Sequence, residues 1–430
     1  MNISRSALLK ALHKAYRDTR ESKRYTLAQL DFEFDYEHLL QTICQQILTQ
    51  TYVPGSSICF ISEEPVKREI FASCFAHRVV CRLLYNWIAP IFDARMVDDS
   101  YSCRVGKGVW KGIERMQHHI RSCTDNYRHD AFALSVDFQG YFMSIRKNLL
   151  FGLINKTLDK VWNKPSCKGG KRWCDLLDKD LIDYLLRTIL FRNPTEDCIV
   201  IGRPLDWVGL PPSKTIWGGK EGIGLAIGDI TSQLFSNILL DMLDQFIKRR
   251  LKCRWYGRYV DDFCILHPQK EYLRMLLTWI QEYVEKELQL TLHPRKIRIV
   301  PVSKGFSFLG AYFLPYRIYP SKKSVARFHK KIHSIERYLA AHPALSHDEL
   351  YSIRSSLNSY CGHFSKFKAW KMLNKQFSAS PLREYFRFNA NYSKATLKEK
   401  YAKRHSPVIS QYFPAGLEPW EYGWDSYYCI

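Results

Sequence analysis

The chain has 430 residues, 46% hydrophobic and 25% charged, which excludes wholesale disorder and collagen-like repeats. Lys+Arg 64 against Asp+Glu 42 leaves a formal net charge of +22. That excess calls for a polyanionic partner, most often nucleic acid, although a ribosome-type or membrane-surface protein would share it. Such a length predicts two to four packed units that need no disulfide or metal staples.

The opening MNISRSALLKALHKAYRDTR reads as a basic amphipathic helix without an apolar h-region, so a signal peptide is not expected. No apolar run is long enough for a transmembrane helix. The 13 cysteines are odd in number and scattered, with no CxxC pair. Reduced thiols in a cytoplasmic protein are the expectation, with no disulfide framework and no clustered metal ligands. Cys167 and Cys174, seven apart in a Lys/Gly-rich loop, are a weak exception.

Residues 1–60 read as mostly helical, with Leu39, Leu40, Ile43 and Ile47 along one face. Ile58 to Ile61 and Val66 to Phe71 predict a β-hairpin carrying Lys67 and Arg68. A helix is predicted from about Ala76 to Phe92, and a short apolar strand over residues 131–136 that ends at Asp137. Residues 163–172 and 202–224, rich in Gly and Pro, read as loops, and a long helix follows from Thr231 to Arg250. Further on, Val325, Phe328, Ile332, Ile335 and Leu339 form a helix-packing stripe that Pro343 stops. Ser346 and Glu349 form a capping-box pattern that opens the next helix, with a stripe of Leu350, Ile353, Leu357 and Tyr360. A third helix is expected near Ser365. The pattern is a mixed α/β region followed by a small helical domain.

The most informative segment is Arg258-Tyr-Val-Asp-Asp-Phe-Cys-Ile-Leu266. Apolar residues flank two adjacent acids, which places them at the turn between two buried strands. Exposed paired acids are usually just solvated, but these flanks are too apolar for a surface loop. Asp137 repeats the arrangement. Three carboxylates on two buried strands suit a two-magnesium site, in which paired cations activate an attacking oxygen and stabilise a leaving one.

These residues resemble those of a known family. Tyr259-Val-Asp-Asp262 resembles the YxDD box of reverse transcriptases, and Asp137-Phe-Gln-Gly-Tyr-Phe142 their first catalytic aspartate motif. Gly224 to Gln233 resembles the substrate-binding motif between them. Lys67 to Ile70, Arg78 to Val80, Tyr101 to Gly108, His293 to Lys296 and Phe308-Leu-Gly310 extend the match in chain order. Ile227-Gly228 and Ser232-Gln233 are similar to the diversity-generating retroelement branch. Ala226, Asp229 and the long C-terminal continuation depart from it, towards the defence-associated bacterial enzymes.

The resemblance implies a right-hand polymerase of α/β plus α class. Residues 1–60 would be an N-terminal helical segment, 61–130 fingers, 131–315 a palm with an antiparallel sheet and inserted loops at about 163–224, and 316–410 a helical basic thumb. Residues 411–430, with seven aromatics and three acids, would be a C-terminal tail. Asp137, Asp261 and Asp262 would be catalytic and, with the Phe138 carbonyl, would hold two Mg²⁺ ions, for which Mn²⁺ can substitute. Lys67 and Arg68 would grip the triphosphate, and Phe142 would gate the sugar. Ile227, Gly228 and Gln233 would face the nascent base pair, and Lys296 would protonate the leaving pyrophosphate. A core aromatic at 142 and a solvated lysine at 296 are the plainer readings. Phe308, Leu309 and Gly310 resemble the primer grip. Lys368, Lys371 and Lys375, placed on one helical face, would track the nucleic-acid backbone, unless that face is merely solvated.

The implied activity is RNA-directed DNA synthesis from dNTPs, copying a cognate structured non-coding RNA into nascent cDNA. Antiviral defence is preferred slightly over diversification. An accessory protein or self-association is a further expected partner, and a membrane is not. A catalytically silent RNA-binding scaffold and an RNA-directed RNA polymerase are the competing readings.

Overall fold

The computed structural model describes residues 3–21, 24, 26–63, 66–166, 170–342 and 344–401. Pro343, Cys167 and the tail at 411–430 lie outside these residues, as do the expectations placed on them. The described residues fall into two compact units. Residues up to 123 and 132–299 contribute to the first, and residues 124–131 and 300–401 to the second.

The first unit opens with three helices: α1 (Arg5–Glu21), α2 (Leu27–Phe34) and α3 (Tyr36–Leu48). On α3, Leu40, Ile43 and Ile47 are buried, and Leu39 is part-buried beside them. The predicted hairpin forms as β1 (Ser57–Ser62) and β2 (Arg68–Ser73), paired antiparallel from Ser57↔Ser73 to Ser62↔Arg68. Next come α4 (Phe75–Asp93), α5 (Val109–Cys123), β3 (Phe132–Val136), α6 (Tyr141–Ser144), α7 (Lys147–Val161), α8 (Trp173–Leu176) and α9 (Lys179–Leu190). The strand β4 (Cys198–Val200) lies parallel to β1 and completes a three-stranded sheet.

The expected loop after β4 contains two 3₁₀ turns, Pro204–Trp207 and Pro212–Lys214. Glu69 of β2 is fully buried and anchors this loop. Its carboxylate accepts from Trp207 Nε1, Thr215 Oγ1 and the Ile216 amide, each at 2.9 Å. Then come α10 (Ile230–Gln245), whose last turn widens into a π-helical stretch at Phe246–Arg250, β5 (Tyr256–Tyr259), β6 (Asp262–His267) and α11 (Lys270–Tyr283). With β7 (Arg298–Pro301), the second sheet has the order β5-β6-β3-β7. The unit's core gathers Leu134, Val136, Phe235, Leu239, Phe263 and Ile265, all at most 2% exposed, between these strands and the helices.

The second unit has a three-stranded sheet of β8 (Phe306–Phe308), β9 (Ala311–Leu314) and β10 (Arg317–Pro320), ordered β10-β9-β8. The helix α12 (Lys322–Ala341) is capped by Ser321, whose side chain accepts from the Ser324 amide at 3.2 Å. Phe328, Ile332, Ile335 and Leu339 of the predicted stripe are buried. The capping box is present at α13 (His347–Ser365), with Ser346 N donating to Glu349 at 2.8 Å and Glu349 N to Ser346 Oγ at 3.3 Å. Leu350, Ile353 and Leu357 face the core.

The third helix does not begin near Ser365. Instead α13 runs on to Ser365, and α14 (Trp370–Phe377) begins after a turn in which Lys368 has φ +54°. Lys368 therefore does not share a helical face with Lys371 and Lys375. A short helix, α15 (Leu382–Tyr385), leads into the hairpin of β11 (Phe386–Phe388) and β12 (Ala395–Leu397). No described helix is long and apolar enough to cross a membrane.

Candidate active site

The strands β5 and β6 pair antiparallel with Tyr259 opposite Asp262, so Val260 and Asp261 are the two residues of a tight turn. Val260 has φ +52°, a conformation that β-branched residues rarely adopt. Two contacts hold it: its amide donates to Ser102 Oγ at 3.0 Å, and its carbonyl accepts from Arg258 Nη1 at 2.9 Å. On the other side of β6, β3 pairs antiparallel with Val136 opposite Phe263. One more step of that register sets Asp137 opposite Asp262. The expectation that the three acids lie at the ends of two buried strands is met by this hairpin and its neighbour.

The electrostatics are those of a crowded carboxylate cluster. Burial, and then the charge of Asp137, push the Asp261 carboxyl up to about 6, against Lys296 and Arg68, which pull it down. Asp262 is raised well above the ordinary carboxylate range by burial, then by Asp261 and Asp137. Lys296 Nζ lies 2.5 Å from Asp137 Oδ2. Lys296 is thus not a merely solvated lysine, although its side chain is about half exposed. With all three carboxyls ionised, these two cations would oppose their charge only in part. Hard oxygen donors with unneutralised charge are what magnesium takes.

The other expected residues are placed as follows. Arg68 opens β2 and acts electrostatically on Asp261. Lys67 pairs with Glu63 at 3.1 Å and donates to the Val208 carbonyl at 3.0 Å. Phe138 is 2% exposed, its ring among Tyr141 and Phe263. Phe142 is part-buried on α6, edge-on to Tyr141. The Ile227 carbonyl accepts from the Phe71 amide at 2.9 Å, which fastens the segment before α10 to β2. At Gly228 a Cβ would sit 2.0 Å from the Phe71 carbonyl oxygen, so this approach requires glycine. Gln233 is part-buried on the first turn of α10.

In the second unit, Phe308 is 1% exposed, so its ring is core and offers no surface to nucleic acid. Any contact there falls to Leu309 and Gly310, the left-handed turn between β8 and β9, at φ +54° and +72°. Lys371 and Lys375 are exposed on α14 and Lys368 is exposed in the turn before it.

The acidic turn is held by a group outside the residues expected to form the site. Arg258, fully buried, makes a two-pronged contact with Asp244 of α10, Nε to Oδ1 at 2.8 Å and Nη2 to Oδ2 at 2.6 Å. Its remaining donors reach Ser100 Oγ at 3.0 Å, Asn237 Oδ1 at 3.3 Å and the Val260 carbonyl. Tyr256 also donates to Asp244. An arginine beside the acids was visible in the sequence. Its partner was not, because Asp244 sits in an ordinary helical pattern.

No protein-family model matches the chain. A stretch of 305 residues, 63% of this chain, is 21% identical to protein YkfC of Escherichia coli strain K12 and covers 70% of it. Among solved structures, apo telomerase from Candida tropicalis, truncated of its C-terminal domain, aligns with a TM-score of 0.44 and 12% identity over 66% of this chain. The chain spans 60% of that telomerase. Telomerase from Candida albicans in complex with a fragment of telomeric RNA aligns with a TM-score of 0.44 and 11% identity, over 83% of this chain and 68% of its own.

Proposed function

We propose that the chain is an RNA-directed DNA polymerase that copies a dedicated structured RNA into cDNA, in antiviral defence rather than diversification. The observation that carries this reading is the convergence of Asp137, Asp261 and Asp262 at one end of the β5-β6-β3 sheet, with Lys296 and Arg68 beside them. Asp137, the Phe138 carbonyl, Asp261 and Asp262 would hold two Mg²⁺ ions, or Mn²⁺ in their place. Such ions activate the attacking hydroxyl and stabilise the leaving oxygen.

The chain's own groups do the rest. Arg68, and Lys67 once released from Glu63, neutralise the triphosphate. Lys296 Nζ lies within reach of the cluster and would protonate the leaving pyrophosphate. The Phe142 ring, part-buried on α6, would gate the sugar against a ribose 2′-OH. Ile227 and Gly228 offer an apolar, close-packed wall to the nascent base pair. In the second unit, Leu309, Gly310 and the exposed lysines around α14 supply backbone contacts to template and primer. The partners are the template RNA, the nascent cDNA and dNTPs, with an accessory protein or a second copy as a further one.

The test is primer extension with dNTPs on an RNA template in Mg²⁺. Losing several kcal/mol of charge stabilisation makes Asp261→Ala/Asp262→Ala slower by roughly 10³-fold or more, while RNA binding is kept. Near wild-type extension by the double variant would overturn the assignment. Absent extension by the wild type, with RNA binding intact, would favour the silent scaffold.

A further inference from the structure

Apart from the aspartate cluster, a second group of ionisable side chains converges inside the first unit. His77 and Cys81 lie four residues apart on α4, so they project from one face, and both are buried. Asp229, at the N-terminal end of α10, meets them from a distant part of the chain. One ligand atom from each lies within 4.8 Å of the other two, the one group of three or more such residues so placed among the described residues.

From this geometry we propose that His77, Cys81 and Asp229 bind one Zn²⁺ ion, at a site separate from the magnesium-type cluster. His77 Nε2 and Cys81 Sγ are 3.5 Å apart. Two ligands at the usual Zn–N and Zn–S lengths in a tetrahedron would be about 3.5 Å apart. Asp229 Oδ2 already accepts from Ser73 Oγ at 2.8 Å, whereas Oδ1 has no exposed surface and no hydrogen-bond partner. A buried carboxylate oxygen left in that condition is a vacant donor.

The surroundings fit a metal as well. His77 Nδ1 is 3.1 Å from Tyr52 Oη, and a proton there would leave the Nε2 lone pair facing Cys81. One thiolate and one carboxylate match the charge of Zn²⁺, while Arg192 and Lys147 line the adjoining cavity. Three protein ligands leave a fourth position, and a cavity of about 30 Å³ beside His77 and Asp229 has room for one water there. Mixed sulfur, nitrogen and oxygen donors favour Zn²⁺ over Mg²⁺. A bound ion would tie α4 to the segment that Gly228 presses against β2. Asp229 follows Gly228 in the segment that resembles the substrate-binding motif, but the site uses none of the residues assigned to catalysis or nucleotide binding.

The experiment uses the full chain, equilibrated with zinc, desalted, and assayed for metal by mass spectrometry in excess Mg²⁺. About one zinc per chain is expected in the wild type, falling at least about fivefold in His77→Gln, Cys81→Ser and Asp229→Asn. Co²⁺ in place of zinc should give a sulfur-to-cobalt charge-transfer band that Cys81→Ser lacks. Asp229→Asn keeps the shape and the acceptor for Ser73, so it tests the site with least damage to the fold, and circular dichroism checks that it is folded. A wild type that retains no zinc, zinc retained equally by the folded Asp229→Asn protein, or a cobalt complex without the sulfur band would each overturn the inference.

Discussion

Two sets of acids, one buried and one part-buried, lie in the first unit and are treated oppositely. Asp244 is fully buried, yet Arg258 meets both its oxygens and Tyr256 donates a third hydrogen bond. Asp261 and Asp262, across the turn that Arg258 supports, are crowded by Asp137 and only partly opposed by Lys296 and Arg68. An acid that serves the fold is neutralised from within the chain. Acids that crowd one another keep raised carboxyls, and on the proposed function metal ions and a triphosphate would supply the opposing charge from outside.

This contrast is broken most severely at Arg258. Arg258→Met leaves Asp244 buried and unpaired, which should cost about 3–5 kcal/mol in denaturant unfolding. Adding Asp244→Leu should recover much of that loss, because the uncompensated charge goes with it. A double variant no more stable than the single one would mean that Arg258 acts through Val260 alone.

The next test is pH. Asp261 is raised from 3.8 to about 6 in the folded state, so the folded chain binds its proton more tightly than the unfolded one. Stability from this group is complete below about pH 4 and is lost as pH rises through about 6. The loss is at most about 3 kcal/mol, and less because the carboxyl is only part-buried. Unfolding midpoints followed across this window should fall more steeply with pH in the wild type than in Asp261→Asn. Above the window, Mg²⁺ should stabilise the wild type and not the variant. Equal slopes for the two proteins would remove Asp261 from the cluster.

A smaller effect is expected at the wall of the cleft. In Gly228→Ala the new Cβ meets the Phe71 carbonyl, and parting the two strands of chain should cost about 1–3 kcal/mol and slow incorporation. A variant as stable and active as the wild type would show that this segment does not press on β2 in solution.

The smallest effect belongs to the second unit. Lys371→Gln/Lys375→Gln should flatten the plot of log K against log[salt] for an RNA–DNA hybrid, by roughly 0.7–0.9 for each phosphate that is no longer neutralised. Base preference should not change. An unchanged slope would make these lysines a solvated face. Lys368, being off the helix, should act independently of the pair.

Patterns with a short period were legible in the sequence. The β1–β2 hairpin, β3, the stripe of α12 and the capping box at Ser346 were all readable from neighbours one to four positions apart. The turn bearing Asp261 and Asp262 was legible for the same reason, since apolar runs on both sides demand two buried strands. Legibility failed where a local pattern was ambiguous. Lys368, Lys371 and Lys375 match helical spacing, but the chain turns at Lys368 with a left-handed backbone before α14 starts. Phe308 sits in a motif that resembles a primer grip, although its ring is core.

By itself, then, the sequence determined the alternation of elements, the basic charge and the acids at strand ends, all of which follow from residue type and spacing along the chain. Tertiary structure alone decided the partners of buried polar groups. Ser102 supports Val260 across 158 positions, Lys296 reaches Asp137 across 159, and Ser73 meets Asp229 across 156. No periodicity encodes such pairs. They arise because burying a polar group is unfavourable until a partner is found, and only the packed sheet and helices determine which distant side chain is within reach.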